Sequence, residues 1–477
     1  MYRLLVIAAL VVPACKGKDT AREEKVAAPP AEPACAKATP HGPLAWIEDD
    51  YPAALACAKA RKLPLVVDLW APWCHTCLSM QTTVFTDPSF ADEAGRFVFV
   101  AIDTDREANA PVVQKLPLSA WPTFYVLGTD ETVLARYVGG ASVPQFQAFL
   151  DAGATAVAGV DGAAKHLLAA ERAIAAKDLA TAETELSAAL VDAPPGWVRK
   201  PDVLVSLLHT MRSRNELEAC LRAAATWIDE TGSSASATDF VGIGLDCASM
   251  RAKEDPAGAA AFQAKAIARL QMLIDDPAAA LSFDDRSDAM VYLREALVAA
   301  GHKPEAIAIA EKQAALLAQA AAKATSSKAA MTYNWHLAEV HVFLGRPLEA
   351  APALEKSARD LPGEYDPPAR LGWVLLKAGK LDDAATWTDK AIALAYGPRK
   401  ARVLAQRAEI AGKQGDAKAE RAYRQQVVAL WEALPPGQAS ADALAKAKET
   451  LAKLDAPAGS GSAGPGSAGS SSGSATR

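Results

Sequence analysis

The spacing of hydrophobic residues changes once along this chain, near residue 158. Between residues 44 and 157, short apolar runs such as Leu65–Trp70 and Phe97–Ile102 are bounded by polar, proline-containing or glycine-containing segments, as is typical of buried strands. From residue 158 to residue 455, apolar residues recur at helical spacing with almost no strand pattern. We therefore predict an α/β domain over residues 44–157 and an all-α domain over residues 158–455.

Within the α/β region the pattern predicts most of the elements. Trp46–Lys62 is expected to form a helix that ends before a proline. Thr123–Leu127 and Val133–Val138 alternate as two strands of a hairpin, and a capping pattern at Ser142 begins a last helix. Strand and helix alternation followed by a hairpin and a helix predicts a mixed sheet covered by helices.

Two cysteines follow the buried strand at the spacing Cys74-His-Thr-Cys77. We expect the first sulfur at a helix N-terminus, where free backbone N–H groups and the helix dipole favour the thiolate that attacks disulfides. His75 is expected to be an exposed side chain between them. The alternative, half of a zinc site, lacks a second cysteine pair. Asp103 and Asp105 are interpreted as a strand-end loop, and we predict no metal ligands.

Four segments carry a resemblance to a known family: VVDLWAPWCHTC around the cysteines, VFTDP at Val84–Pro88, AWPTF at Ala120–Phe124 and YVGG at Tyr137–Gly140. Through them, residues 44–156 resemble the thioredoxin family, especially the thioredoxin-like modules of bacterial envelope reductases such as the C-terminal module of DsbD. The resemblance implies a thioredoxin fold and thiol–disulfide exchange. Trp121 and the His-Thr pair depart from the usual family residues, so substrate choice and redox potential stay open.

The resemblance also implies a role for each matching residue. Cys74 would attack a partner's disulfide, and Cys77 would resolve the mixed disulfide. Asp68 would be a buried carboxylate that takes and returns the proton of Cys77. The residues expected at the substrate-binding surface are Trp73, Trp121 and Pro122, the last as the cis-proline of the family. No cofactor other than the Cys74–Cys77 disulfide is expected.

Internal repetition appears in the helical region. Glycine recurs at Gly345, Gly379 and Gly415, 34 and then 36 residues apart. Small residues keep the same phase before and after these glycines, at Ala338, Gly372, Ala408, Ala350 and Ala384. This resembles tetratricopeptide repeats and implies a solenoid of helix pairs with a concave surface for a protein or peptide partner. The alternative is a generic helical array that alanine makes look regular, and it stays open for residues 160–330.

The first residues resemble a bacterial export signal. Arg3 precedes nine apolar residues, too few to span a bilayer, which needs about 20 residues. The segment ends at Cys15, where the pattern resembles a lipoprotein signal, so residues 1–14 would be removed and Cys15 would carry the lipid. An ordinary cleaved signal is the alternative. Residues 15–43 are expected to be a disordered tether, and residues 456–477, rich in glycine, serine and alanine, a disordered tail.

The remaining cysteines suit an oxidising compartment. Apart from the reactive pair they are Cys35, Cys57, Cys220 and Cys247, and an even number invites pairing. Cys35–Cys57 and Cys220–Cys247 are the simplest structural disulfides, although buried free thiols at 220 and 247 are equally compatible with the sequence. A net charge of −6 over 477 residues gives no basic patch, so nucleic acid is not an expected partner.

Together these features predict a thiol–disulfide oxidoreductase of the bacterial cell envelope. It would be lipid-anchored and periplasmic, would act on protein thiols and disulfides, and would recruit partners through its helical repeats. The reductase direction is slightly favoured, and it would need a separate membrane electron donor. The alternative is a repeat scaffold whose thioredoxin module mainly binds.

Overall fold

The computed structural model describes residues 35–455, which begin with a six-stranded mixed sheet. Its strands are β1 Thr39–His41, β2 Leu44–Glu48, β3 Leu65–Trp70, β4 Val98–Asp103, β5 Thr123–Leu127 and β6 Val133–Val138. They lie in the order β1-β2-β4-β3-β5-β6. β3 runs parallel to β4 and antiparallel to β5, and β6 closes the hairpin with β5. This arrangement confirms the predicted thioredoxin fold.

β3 lies in the interior of the sheet, and both of its faces are buried. Successive side chains of a strand point to opposite faces, so Val66 enters one hydrophobic core with Phe124, and Val67 enters the other with Val100. Every residue from Leu65 to Leu69 is buried. The strand is thereby fixed on both sides, and its carboxyl end holds the following turn in one place.

The prediction that the first helix begins at Trp46 is wrong. Leu44–Glu48 forms β2 and pairs in parallel with β4, so strand pairing outweighs the local helical pattern. The helix begins at Tyr51, where the Asp50 carboxylate accepts the Ala53 N–H at 3.0 Å and closes the first turn.

The disordered tether predicted for residues 15–43 is also wrong for residues 35–43. β1 pairs antiparallel with β2, and Cys35 forms a disulfide with Cys57 in the first helix. These two connections provide the order that composition alone does not indicate. The predicted signal, Cys15 and the C-terminal tail lie outside the described residues.

Helices make up the rest of the described chain. The helices of the α/β domain are Tyr51–Arg61, His75–Ser79, Ala110–Lys115 and Val143–Ala156, with 3-10 turns at Pro88–Gly95 and Glu107–Asn109. The helical domain contains Gly162–Ala175, Leu179–Val191, Lys200–Ser213, Leu217–Trp227, Ala235–Arg251, Pro256–Asp275, Phe283–Ala299, Lys303–Lys323, Ser327–Met331, Asn334–Phe343, Ala351–Asp360, Asp366–Lys377, Leu381–Leu394, Gly397–Lys413, Ala417–Ala433 and Ala441–Asp455. Within residues 35–455, none of these helices has the length and apolar character that crossing a bilayer requires.

The helical domain repeats one kind of turn. Six helix pairs are joined through a residue in the left-handed conformation, with φ between 60° and 84°: Lys177, Asn215, Gly301, Gly345, Gly379 and Gly415. Glycine adopts this conformation without steric cost. The same turn therefore occurs three times in residues 160–330, where the sequence signal is weak, and this supports the helical-repeat fold there as well.

The in-phase small residues of the repeats are buried between helices, as predicted. Ala338, Ala350, Ala384 and Ala408 are buried. A Cβ added to Gly372 would lie 2.3 Å from the Thr388 hydroxyl oxygen. Close approach of paired helices thus requires small side chains at these positions.

The helical domain packs directly against the α/β domain. The Ser236 hydroxyl group contacts the Tyr137 hydroxyl group at 3.0 Å and accepts a hydrogen bond from Gln145. The Arg199 guanidinium donates to the Arg136 carbonyl oxygen in β6 at 3.0 Å. Near the other end of the chain, the Gln438 amide donates to the backbone carbonyl of Thr104 at 2.8 Å. The two domains therefore share one continuous packed interface.

Candidate redox site

The two cysteines occupy the turn between β3 and the next helix. Cys74 is the N-cap of helix His75–Ser79, and its sulfur accepts the Cys77 backbone N–H at 3.0 Å. The two sulfurs form a disulfide in this structure. After reduction, the same N–H donor and the positive helix end favour a thiolate on Cys74. The geometry is that of a nucleophilic cysteine with its resolving partner one turn further along.

The disulfide lies in an apolar enclosure. Cys74 is 4% exposed and Cys77 is 1% exposed, and Trp70, Trp73 and Trp121 pack around them. The Trp73 and Trp121 rings meet edge to face with their centroids 5.1 Å apart. Two of the three predicted substrate-contacting residues, Trp73 and Trp121, therefore lie at the disulfide, and both are only partly exposed.

Pro122 stands at the start of β5, where the Trp121–Pro122 peptide bond is cis. Its carbonyl oxygen accepts the Gly139 N–H at 3.0 Å, and the Trp121 indole donates to the Thr104 hydroxyl oxygen at 2.8 Å. Both residues are thus held by neighbouring backbone and side chains. Their predicted contact with substrate stays a prediction.

Asp68 lies in the middle of β3, paired with Ala101 on one side and Phe124 on the other. It is 1% exposed, and its Oδ1 makes no hydrogen bond within residues 35–455. Burial raises the pKa of this carboxyl group well above its ordinary value because the charged form loses its hydration. Asp68 therefore holds a proton more readily than an exposed aspartate does.

One group of contacts covers the site through Trp73; we call it the tyrosine side and define it as Trp73, Asp103, Asp105, Tyr365 and Tyr396. Asp105 Oδ2 accepts the Trp73 indole N–H at 2.8 Å and the Tyr365 hydroxyl at 3.0 Å. Asp103 Oδ2 accepts the Tyr396 hydroxyl at 2.5 Å. Asp103 ends β4 and Asp105 lies in the turn after it, as the interpretation of a strand-end loop predicts, and helices more than 250 residues away along the chain cover both.

Arginines of the helical domain reinforce the tyrosine side. Arg370 donates to the Trp73 carbonyl oxygen at 2.9 Å, and the Arg399 guanidinium lies 4.9 Å from the centre of the Trp73 ring. Trp73, the residue just before the nucleophilic cysteine, is therefore held by contacts to its indole N–H, its ring face and its carbonyl oxygen. Each of these contacts comes from a part of the chain that sequence periodicity cannot connect to it.

A second group lies at the start of helix His75–Ser79, which we call the redox helix. We call this group the histidine side and define it as His75, Asp284, Asp288 and His336. The His75 side chain is 12% exposed, and its Nδ1 lies 3.0 Å from Asp284 Oδ2. The rings of His75 and His336 are 4.4 Å apart between centroids. The expectation of an exposed His75 is therefore wrong. Sequence analysis missed this group, although two aspartates one helical turn apart were a usable signal.

The other predicted cysteines lie away from this site. Cys57 is buried in the core on one face of the sheet and is joined to Cys35. Cys220 and Cys247 are joined in the core of the helical domain, where they connect helices Leu217–Trp227 and Ala235–Arg251. The structure thus holds these four cysteines as two disulfides distant from the reactive pair.

A cysteine pair at a helix N-terminus beside a central strand of this topology defines a thioredoxin-like redox protein. The thioredoxin-like family model matches residues 46–127. Thioredoxin C-3 of Corynebacterium nephridii is 32% identical over 146 residues, which make up 30% of this chain and 92% of that protein. The chain belongs to the thioredoxin family. Thiol:disulfide interchange protein DsbD of Pectobacterium atrosepticum is 30% identical over 91 residues, 18% of this chain and 16% of that protein.

The helical domain has its own structural likeness. A tetratricopeptide repeat protein from Parabacteroides merdae aligns with a TM-score of 0.41 and 13% identity, covering 62% of this chain and 99% of that one. This likeness concerns the helical fold alone. The relatives of the α/β domain support a thiol–disulfide oxidoreductase in general, without its direction.

Proposed function

We propose that this protein is a thiol–disulfide oxidoreductase of the bacterial cell envelope that acts on protein disulfides. The observation that carries the proposal is the Cys74 sulfur at the helix N-cap, accepting the Cys77 N–H at 3.0 Å. The N-terminal resemblance to a lipoprotein signal supports the location, and the two further disulfides fit an oxidising compartment.

The reaction follows from the order of the two sulfurs. The Cys74 thiolate attacks one sulfur of a substrate disulfide, which breaks that bond, forms a mixed disulfide and releases the other substrate sulfur as a thiolate. The Cys77 thiolate then attacks Cys74, re-forms the protein disulfide and releases the second substrate sulfur. Two electrons pass from the protein to the substrate, so an external dithiol or membrane donor must return them in each cycle.

Asp68 is proposed to move the proton of Cys77. Its raised pKa brings it closer to that of an ordinary thiol, about 8.5, so a proton passes between the two groups at a smaller free-energy cost. The proton that Asp68 accepts when Cys77 attacks is returned when the pair is reduced again.

The cysteines provide the direct test. With both Cys74 and Cys77 changed to serine, we expect loss of insulin disulfide reduction in the full chain. The matched control changes Cys35 and Cys57 to serine and should keep the activity, because these cysteines belong to the core on one face of the sheet and not to the cluster around Cys74 and Cys77. Activity that survives the Cys74→Ser, Cys77→Ser change would contradict the proposal.

The proposed direction is reduction of substrates. A Cys74–Cys77 reduction potential near that of thioredoxin, about −270 mV, is the expected result in equilibrium with glutathione or a dithiol. A value near that of a strong oxidant, about −120 mV, would reverse the direction. In that case the repeats would hold substrates while they acquire disulfides.

The second candidate function is a repeat scaffold whose thioredoxin module mainly binds. It is favoured by the burial of Cys74, which leaves 4% of the residue exposed, and by the anchoring of Trp73 to the helical domain. Slow exchange of the disulfide with dithiothreitol, together with partner binding that survives the double serine change, would favour the scaffold over the enzyme.

A further inference from the structure

The four residues of the histidine side bring four metal-binding atoms together in the interface. His75 comes from between the cysteines, Asp284 and Asp288 from helix Phe283–Ala299, and His336 from helix Asn334–Phe343. One ligand atom from each residue lies within 4.8 Å of the other three. We propose that these side chains bind a divalent transition-metal ion of the zinc type, which joins the redox helix to the helical repeats.

The distances fit a coordination shell. Zinc bonds to histidine nitrogen and carboxylate oxygen of about 2.0–2.2 Å place neighbouring tetrahedral ligands about 3.4 Å apart. The His336 Nε2 atom lies 3.2 Å from Asp284 Oδ1 and 3.9 Å from Asp288 Oδ1. The His75 Nδ1 atom lies 3.0 Å from Asp284 Oδ2 and 3.9 Å from Asp288 Oδ2. Each histidine nitrogen thus lies within 3.9 Å of an oxygen of both aspartates. With one atom from each residue, the four atoms lie within 4.8 Å of one another, so the side chains would draw together by about 1.4 Å at most around a shared ion.

The orientation of His336 is the second observation. This side chain is fully buried, yet neither ring nitrogen makes a hydrogen bond within the described part of the chain. Its Nε2 lies 3.2 Å from Asp284 Oδ1 without meeting the geometry of a hydrogen bond to it. A buried polar atom without a hydrogen bond is costly. A metal ion placed between the nitrogen and the carboxylates would satisfy it.

The surrounding charge favours a cation over a salt bridge alone. Asp239 and Asp285 also face this region, beside the two aspartates of the histidine side. Two further buried acidic side chains therefore lie beside the four residues of the histidine side. The set of two nitrogen and two oxygen ligands suits a borderline ion such as Zn²⁺ better than Mg²⁺ or Ca²⁺, which prefer oxygen alone.

This proposal does not depend on thiol exchange, and its test keeps the thiols out of the measurement. Zinc binding is measured by calorimetry on the full chain with Cys74 and Cys77 oxidised, and again on the Cys74→Ser, Cys77→Ser protein. We expect one ion per chain in both. Cobalt in place of zinc should give the visible absorption of a tetrahedral site.

Variants identify the ligands. His336→Gln and Asp288→Asn should each weaken zinc binding by more than the roughly 10–100-fold that loss of a surrounding partner causes. The matched control is His166→Gln, because His166 also lies beside two carboxylates, Glu185 and Asp192, but on the surface. It should leave zinc affinity unchanged.

Two results would overturn the proposal: a disulfide form that binds no zinc, or equal affinity in wild type and in Asp288→Asn. If His336→Gln does not fold, as judged by circular dichroism, Asp288→Asn decides. Thermal unfolding gives an independent readout, because zinc stabilises only the form with an intact site. The unfolding temperature should rise with zinc in wild type and not in Asp288→Asn.

Discussion

The redox helix is covered on two sides by the same helical domain, and the two sides differ in how their polar groups are paired. On the tyrosine side, neutral hydroxyl and indole groups donate to Asp103 and Asp105 over 2.5–3.0 Å. On the histidine side, titratable rings face carboxylates, and both nitrogens of His336 lack hydrogen bonds within residues 35–455. The donors of the first side each have an acceptor, whereas the second side contains buried polar atoms without hydrogen bonds, where we propose a cation.

The two sides also shift carboxyl pKa values in opposite directions. Burial raises the pKa of Asp103 to about 7, although the Tyr396 hydroxyl opposes the change. Burial acts in the same sense on Asp284, but the neighbouring His75 and His336 side chains, with a hydrogen bond from His75, outweigh it and lower the pKa of that group. One side therefore favours a neutral acid, and the other favours a carboxylate.

The comparison suggests that the tyrosine side controls access to Cys74, while the histidine side fixes the position of the helix. Trp73 immediately precedes Cys74 and is held through Asp105 and Arg370. Releasing Trp73 would uncover the sulfur without moving the helix.

The largest effect is expected for Asp105→Ala. It leaves the Trp73 indole and the Tyr365 hydroxyl without their shared acceptor in a buried place, which costs about 2–4 kcal/mol in the free energy of unfolding. Urea unfolding measures the loss, and alkylation of the reduced protein should be faster at Cys74. Asp105→Asn keeps an acceptor oxygen and should lose less. Equal stability of wild type and Asp105→Ala would show that these bonds do not hold the interface.

A smaller effect is expected from pH. Folded Asp103 keeps its proton up to about pH 7, whereas the unfolded group, with an ordinary pKa of about 3.9, loses it earlier. The stability contributed by the neutral group is therefore present at low pH and lost as pH rises from about 4 to 7. Between pH 5 and pH 6.5 the loss is about 2 kcal/mol, at about 1.4 kcal/mol per pH unit.

Asp103→Asn isolates this contribution, because the amide does not titrate. The free energy of unfolding of wild type relative to Asp103→Asn, measured with urea at pH 5 and pH 6.5, should fall by the stated amount. A difference that stays constant with pH would mean that Asp103 is already ionised in the folded protein.

The sequence predicts those parts of the site that lie close together along the chain. β3, the cysteine pair and the capping box at Ser142 each depend on residues within one strand or one helical turn, and periodicity reports such relations directly. β2 was missed because its helical pattern is outweighed by pairing with β4. The helical preference of the local sequence gives no information about that pairing.

The contacts of the tyrosine side and of the histidine side could not be predicted, because the residues that make them are far apart along the chain. His75 and Asp284 are separated by 209 positions, and Asp105 and Tyr365 by 260. Only a partial signal existed. Asp103 ends a fully buried strand, and a buried carboxylate requires a donor. The sequence analysis interpreted Asp103 only as part of a strand-end loop, so neither its burial nor its partner in the repeats was predicted.

The smallest effect is expected for Tyr396→Phe. The ring, which packs 5.1 Å from the Arg106 guanidinium, stays in place, and only the hydroxyl that donates to Asp103 is lost. We expect a loss of about 1 kcal/mol in urea unfolding and a further rise in the pKa of Asp103, because its charged form loses a donor. Tyr423→Phe, on helix Ala417–Ala433 under Arg407, is the matched control and should change neither.

The Tyr396→Phe result distinguishes two explanations of how the helical domain keeps Cys74 covered. If Tyr396→Phe speeds alkylation of reduced Cys74 while Tyr423→Phe does not, the hydroxyl contacts themselves restrain the interface around the sulfur. If stability falls without any change in alkylation, the contacts of Trp73 with Asp105 and Arg370 keep Cys74 covered without Tyr396. The tyrosine side then acts through Asp105 alone. Either result narrows the contacts that must break before a substrate disulfide reaches Cys74.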